Sequence, residues 1–311
     1  MREVLIEDFK QLTERNIPWN ELRDKTFLIT GATGLVGSLL VRCLLYANET
    51  INLNAKVYAV VRNTDKADRI FEDEKTDALS YIVADLATEK VCCEGECDYI
   101  IHAAAVTASK LMVSDPVGTI RTSIDGTEKM LQLAVEKKVR AFIYISSMEI
   151  YGQPKTEGKT AEKDLGYVDI ETVRSCYPEG KRMCECMCTA YAAQYGVNVI
   201  SARLAQTFGA GILPTENRVF AQFARSAVNG ENIVLHTTGE SEGNYVYTAD
   251  AIAALLTLLI KGVAGESYNI ANEGSHITIR NMAQLVADEI AGGKIRVVID
   301  IPEDSASLGY A

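Results

Sequence analysis

Short apolar runs alternate with amphipathic ones along most of this chain. Thr26-Phe27-Leu28-Ile29-Thr30 is β-rich and uninterrupted, and Gly31–Gly37 leads from it into a helical run through Leu45. Further strands are predicted at Lys56–Val61, Tyr81–Ala84, Tyr99–Ile101 and Ala141–Ile145. A long helical period, with Ile120, Ile124, Met130, Leu131 and Val135 apolar, fills Asp115–Lys138, and a second fills Tyr177 to about Gln194. Strands alternating with helices predict an α/β fold, a Rossmann-type doubly wound parallel sheet that binds ligands outside the carboxyl ends of its strands. Residues 1–24 read as an N-terminal helical extension, with Leu5, Ile6, Phe9 and Leu12 as its apolar stripe and Pro18 as its end. The order loosens after Pro214. A helix is expected over Phe220–Val228, a strand over Ile233–His236 and a helix over Asp250–Leu259. A strand follows at Ser267–Ile270, a helix at Thr278–Ile290 and a last strand at Ile295–Val298. The expected domains are therefore the extension 1–24, a dinucleotide-binding domain 25–207 to which 245–270 returns, and a smaller substrate-binding lobe from 208–244 and 271–311.

The first strand–loop–helix unit carries chemistry. Gly31-Ala32-Thr33-Gly34-Leu35-Val36-Gly37 has the G-x-x-G-x-x-G spacing in the context that a dinucleotide fingerprint requires. Gly31 permits the turn, Gly34 lets the backbone approach a pyrophosphate, and Gly37 lets helix and strand pack closely. The helix N-terminus offers free N–H groups to phosphate, which makes Thr33, Leu35 and Val36 cofactor-binding candidates as well. An NAD site commonly has an acid at the end of the second strand. Here Val61-Arg62-Asn63 stands there, and Arg62 either meets a 2′-phosphate, which leans toward NADP, or faces solvent. Asp85 and Leu86 end the third strand, where Asp85 contacts an adenine or caps a turn. The fourth ends in His102-Ala103-Ala104-Ala105; the small residues leave room for a cofactor's middle, and His102 reads as a satisfied core histidine. Tyr177 and Lys181 lie four apart on one helical face. A free phenol titrates near ~10, and a fixed cation favours its ionised form, so such a pair can serve as a base.

The 311 residues include 48% apolar and 23% charged positions, ordinary for a globular protein, and allow one large domain or a large and a small one. A net charge of −11 argues against a nucleic-acid or anionic-membrane surface. The first residues lack a signal peptide's apolar core, and the run Ala251–Ile260 is too short to span a bilayer. Eight cysteines without a secretory signal indicate reduced thiols and a cytoplasmic protein. Cys92, Cys93 and Cys97 follow no zinc spacing. Cys184, Cys186 and Cys188 read as packing residues, so no metal site is expected.

The glycine loop, the segment Ser146-Ser147-Met148-Glu149-Ile150-Tyr151-Gly152 after strand five and the Tyr-x-x-x-Lys, in that order, resemble the extended short-chain dehydrogenase/reductase family, in its NAD-dependent epimerase/dehydratase branch. Arg174–Arg182 looks very like the corresponding segment of UDP-glucuronate decarboxylases, and Arg203–Gly209 resembles the family's later strand and sugar-site loop. The resemblance implies an enzyme that begins by oxidising a sugar hydroxyl, that at C4, of a nucleotide sugar with NAD or NADP. It implies Tyr177 as base, Lys181 as the residue that lowers the phenol's pKa and binds the nicotinamide ribose, and Ser147 as donor to the reacting oxygen. It also implies a homodimer through the two long helices.

Departures narrow that expectation. Where dehydratases have an Asp followed by a Glu, this chain has Met148 and Glu149, which weakens dehydration and suits decarboxylation with Glu149 assisting, or epimerisation, which needs neither acid. The family's Arg before the late strand Tyr245-Val246-Tyr247 is replaced by Glu242-Gly243-Asn244; Arg218 or Arg225 is a candidate to compensate. Ser123 and Gln206 stand where Asn is usual, so the substrate pocket, assigned to Ser147, Met148, Gln206 and Arg218, is expected to be altered. Relatives continue past the segment like Leu308-Gly309-Tyr310, so the chain is expected to be shortened. The alternatives are a reductase of a sugar or polyol derivative and a non-catalytic NADP-binding regulator.

Overall fold

The computed structural model describes residues 3–155, 158–213 and 216–301. It divides into two units. One takes the described residues up to Ala205 together with Thr248–Ile270; the other takes Gln206–Tyr247 and the described residues from Ala271.

In the first unit β1 (Thr26–Thr30), β2 (Lys56–Val61), β3 (Leu79–Val83), β4 (Tyr99–His102), β5 (Ala141–Ser147) and β6 (Val199–Leu204) are joined by a late strand, β10 (Ser267–Ile270). All pair in parallel in the order β10-β6-β5-β4-β1-β2-β3. The order reverses at β1, which lies between β2 and β4, and the carboxyl ends of β1 and β4 therefore frame the crevice where such sheets bind ligands. Every residue of β1 and β6 is buried, as a central strand covered on both faces requires. Leu28, Ile100, Phe142, Tyr144 and Val199 form one core with Met130, Leu131, Cys184 and Cys188 of the helices Pro116–Lys137 and Cys176–Tyr195. Cys184 and Cys188 are thus packing residues, one turn apart on the inner face, while Cys186 is exposed.

Local chemistry sets the helix limits. The Asp115 carboxylate accepts from the Gly118 N–H at 3.1 Å and Pro116 opens the helix; Lys138, in the left-handed region, closes it. Gly196 ends Cys176–Tyr195 in the same conformation. The N-terminal helix runs Glu3–Glu14 and is followed by a separate short turn, Trp19–Leu22. Leu5, Phe9 and Leu12 are buried, but Ile6 is 41% exposed. Ile6 lies about 100° around the helix from Leu5, off the inward face.

The second unit contains a sheet β11-β9-β7 and a parallel pair β12-β8. Their ranges are β7 Gln206–Phe208, β8 Ile233–Leu235, β9 Glu242–Tyr247, β11 Asn272–Thr278 and β12 Val297–Ile299. Phe220, Phe223, Ile233, Leu235, Tyr245, Met282 and Ile295 form its core. The polar strand β11 has no apolar signature in the sequence. The expected helix Thr278–Ile290 is α-helical only over Ile279–Leu285, with Thr278 capping it, and continues as a wider π-type turn, Val286–Ile290. The segment Leu308–Tyr310 lies outside the described residues.

Candidate active site

The glycine loop closes the amino end of the helix Leu35–Ile51 against β4. Gly31 has φ +63°, and a Cβ there would lie 2.8 Å from the main chain of Ala103 and Ala104. A Cβ on Gly37 would collide with the carbonyl of Gly31. Gly34 is the N-cap and has no side chain to cap with. The Gly34 and Ser38 N–H groups are bonded within the turn, whereas Leu35, Val36 and Gly37 carry the first-turn donors that a helix leaves open. This backbone cradle fits the pyrophosphate of a dinucleotide.

The loop after β4 is held from behind. Thr30 Oγ1 accepts the Ala104 N–H at 3.1 Å and lies 2.7 Å from His102 Nδ1, and His102 Nε2 lies 3.2 Å from Thr127 Oγ1. Burial, with a smaller contribution from the Lys181 charge, pushes His102 down to about 3, so the imidazole is neutral. A neutral ring carries one proton. One ring nitrogen therefore donates and the other accepts, and the ring bridges the hydroxyls of Thr30 and Thr127. The expected core histidine is therefore a relay that fixes Ala103–Ala105. Asp85 accepts from the Ala87 N–H at 3.0 Å, which makes it a turn cap. Leu86 is buried, and its carbonyl accepts from Lys129. Arg62 is exposed at the end of β2, and Asn63 caps the next helix.

The helix Cys176–Tyr195 brings Tyr177 and Lys181 to the end of β5. Lys181 is 3% exposed; its Nζ donates to the Ile145 carbonyl at 2.7 Å and lies 4.7 Å from the Tyr144 ring centroid and 5.8 Å from that of Tyr177. Burial lowers its pKa to about 8, partly offset by Cys184, Glu185 and Cys188. Tyr177 is buried with Met112 and Cys176. Two residues beyond Ile145, Ser147 accepts from the Glu149 N–H at 3.2 Å, which leaves its own O–H proton to donate elsewhere. The Ser146 hydroxyl is buried without a hydrogen-bond partner among the described residues. Glu149 receives both arms of Arg174, at 2.6 and 3.0 Å. Met148 is half-buried beside it. Neither the Arg174 clamp nor the Thr30–His102–Thr127 relay was anticipated. The sequence signals were a Thr at the end of β1 and an Arg three residues before the Tyr.

Gln206 and Arg218 belong to the second unit. Gln206 pairs with Tyr245 in β7–β9, and Arg218 bonds Glu216 at 2.8 Å and stacks on Phe220. Arg225 donates to the Glu216 carbonyl. Gly243 lies within β9, where Glu242 faces His276 at 3.3 Å. Among the described residues no cluster of metal ligands occurs, and no helix is long and apolar enough to cross a membrane.

The family model described as NAD dependent epimerase/dehydratase matches residues 27–271. The chain belongs to this family. Among curated relatives, UDP-glucuronic acid decarboxylase 6 of Arabidopsis thaliana is 31% identical over 89% of this chain and 78% of its own length. UDP-glucuronic acid decarboxylase 1 of Xenopus tropicalis is 29% identical over 90% of this chain, which spans 64% of that protein. Among solved structures, UDP-glucose 4-epimerase of Thermotoga maritima, solved with UDP-glucose, has the same fold at TM-score 0.72 and 23% identity, covering 89% of this chain and 86% of that one. A double mutant of dTDP-glucose 4,6-dehydratase from Streptomyces venezuelae, solved with NAD, aligns at TM-score 0.70 and 24% identity, covering 88% and 84%. The lean toward NADP drawn from Arg62 finds no support: the family is described as NAD dependent.

Proposed function

We propose that this protein oxidises the C4 hydroxyl of a nucleotide-activated hexuronate and then lets the oxidised sugar lose its carboxylate. The observation that carries this reading is the meeting at the end of β5 of Ser147, with an uncommitted O–H proton, Glu149, and the helix bearing Tyr177 and Lys181. Tyr177 removes the hydroxyl proton, and Ser147 donates to the same oxygen. Lys181 holds a positive charge behind the phenol at neutral pH. NAD, when bound, takes up the hydride from the carbon. The Gly31–Gly37 cradle and the Ala103–Ala105 loop would hold it, and Lys181 would orient its ribose.

A ketone at C4 stands two carbons from the carboxylate carbon of a uronate. When that C–C bond breaks, its electron pair moves toward the ketone oxygen, which Tyr177 and Ser147 again face. Glu149, the acid that Met148 leaves unaccompanied, is suited to handle the proton that the sugar carbon then takes up. The decarboxylase names of the Arabidopsis and Xenopus relatives support this outcome over epimerisation.

A second reading has Gly243 in its favour: without the family's Arg there, an oxidoreductase of a sugar or polyol derivative lacking a diphosphate fits equally. Incubation with NAD and UDP-glucuronate distinguishes them. Release of carbon dioxide supports the proposal, with the sugar recovered as a UDP-4-ketopentose beside reduced nicotinamide, or as a UDP-pentose where the hydride is returned to C4. No release of carbon dioxide from UDP-glucuronate, with nicotinamide reduction by free sugar acids instead, overturns it. We place the enzyme in the cytoplasm, in keeping with its eight unpaired cysteines, and as a homodimer joined through the outer faces of Pro116–Lys137 and Cys176–Tyr195.

A further inference from the structure

We infer that Arg174 is a positioning residue whose two-armed grip on Glu149 sets the distance between Ser147 and Tyr177. This rests on the reading of those two as the groups that face the reacting oxygen. They stand on different elements. Ser147 caps a short 3-10 turn, Met148–Tyr151, and Tyr177 opens a helix about 30 residues later in the chain. Side chains near the start of that helix tie it to the end of β5 at successive heights: Lys181 to the Ile145 carbonyl, Arg182 to the Ile150 carbonyl at 2.7 Å, and Arg174 to the Glu149 carboxylate. The Arg174 tie is bidentate, the geometry that fixes orientation as well as distance.

Both ends of this strut are braced. Glu149 is joined through its own N–H to Ser147 Oγ, so moving its carboxylate moves the serine. Arg174 lies in the 3-10 turn Val173–Ser175, where the hydroxyls of Thr172 and Ser175 converge on the Asp169 carbonyl at 2.6 and 2.5 Å. A half-exposed ion pair contributes little stability by itself. Such bracing is out of proportion to that contribution and suits a part that must hold position. The guanidinium is held above its ordinary range chiefly by the Glu149 hydrogen bond, and the Tyr177 hydroxyl acts on it in the same direction, so the clamp lies within electrostatic reach of the base.

The test uses Arg174→Ala and Arg174→Lys in the full chain with NAD, read by amide hydrogen exchange over 147–152 and by steady-state kinetics with UDP-glucuronate. Removing the fork should raise exchange in that turn about tenfold while leaving 141–145 unchanged. A displacement of about 1 Å should lower kcat about 100-fold with KM within about threefold. Arg174→Lys, which keeps the charge and loses the fork, should fall between, and carries the test if the alanine variant does not fold. Raised exchange without any wild-type turnover supports the strut and counts against the uronate reading. Exchange over 147–152 equal to wild type, or a loss confined to KM, overturns the inference.

Discussion

Lys181 reaches from its helix to donate to the main-chain oxygen of Ile145, 2.7 Å away, and in doing so takes its ammonium almost wholly out of water. Its pKa, lowered to about 8 by burial, makes it expensive for stability at neutral pH. In the unfolded chain the group titrates near 10.5. Between these values the unfolded state binds more protons, so the stability that Lys181 withholds at pH 7 is recovered as pH rises from about 8 to 10.5. The gap corresponds to a burden on the order of 3 kcal/mol, part of which the Ile145 hydrogen bond returns. Lys181→Met should therefore melt higher than wild type at pH 7, with the advantage vanishing by about pH 10.5, while its turnover collapses. A variant less stable at pH 7, or a pH-independent difference in melting temperature, contradicts this account of the buried ammonium.

Tyr177→Phe keeps the ring in its packing against Met112 and Cys176 and removes only the hydroxyl. Cofactor affinity should hold within about threefold, while the rate of nicotinamide reduction by sugar nucleotide falls about a thousandfold. Single-turnover absorbance at the reduced-nicotinamide band reads it directly. Retention of most of the rate would remove Tyr177 as the base.

His102 supplies the acid side of the pH profile. Burial holds its pKa near 3 against 6.5 when unfolded, so the folded state resists a proton that the unfolded chain accepts. The stability this histidine confers is complete above about pH 6.5 and is lost progressively toward pH 3, about 2 kcal/mol of it by pH 5. Chemical denaturation at pH 7 and pH 5 should show that loss in wild type, and His102→Gln, which has no such proton to take up, should show a flatter slope between them.

The parallel sheet was legible because β1, β2, β4 and β5 are nearly continuous apolar runs, and β1 and β4 are followed by Gly31 and Ala103, where a ligand needs room. The glycine loop was legible because its spacing answers to backbone contacts that now have partners: Gly31 against Ala103 and Gly37 against Gly31. The hidden parts were side-chain pairs of large sequence separation. Nothing local links Thr30 to His102, 72 residues away, or Arg174 to Glu149, 25 away. Asp85 is the opposite case, legible locally: the turn cap that the sequence offered for it is the hydrogen bond its carboxylate accepts from the Ala87 N–H two residues on. In the second unit β11 escaped notice because Asn272-Glu273-Gly274-Ser275-His276 has the polarity of a loop and is held as a strand by β9.

Gly37→Ala should weaken NAD binding more than its small size suggests. The added methyl group points at the Gly31 carbonyl, which is backbone and has nowhere to rotate. Relieving the clash means lifting the helix Leu35–Ile51 from the loop, which opens the cradle formed by the N–H groups of Leu35, Val36 and Gly37. Overpacking of this kind destabilises by about 1–3 kcal/mol, so the variant should still fold. Isothermal titration should show NAD affinity reduced at least about tenfold, and near-wild-type affinity would mean that the pyrophosphate does not sit on this loop.

The proposed dimer predicts that the outer faces of the two long helices are covered in solution. Val117 is 63% exposed, Met183 50%, Tyr195 52% and Ile120 39%. These residues flank the packed pair Pro116–Lys137 and Cys176–Tyr195, whose inner faces already hold Met130, Leu131, Cys184 and Cys188 against the sheet. Apolar side chains on an outer helical face, on the same helix that carries Tyr177, gain burial when a second copy covers them. Light scattering at micromolar concentration should give twice the 34.0 kDa chain mass. Met183→Glu, which puts a carboxylate into that face, should shift the equilibrium to monomer with little change in the monomer's own fold. A wild-type protein that scatters as a monomer, or a Met183→Glu variant that remains dimeric, would move the interface elsewhere and leave these side chains as ordinary exposed surface.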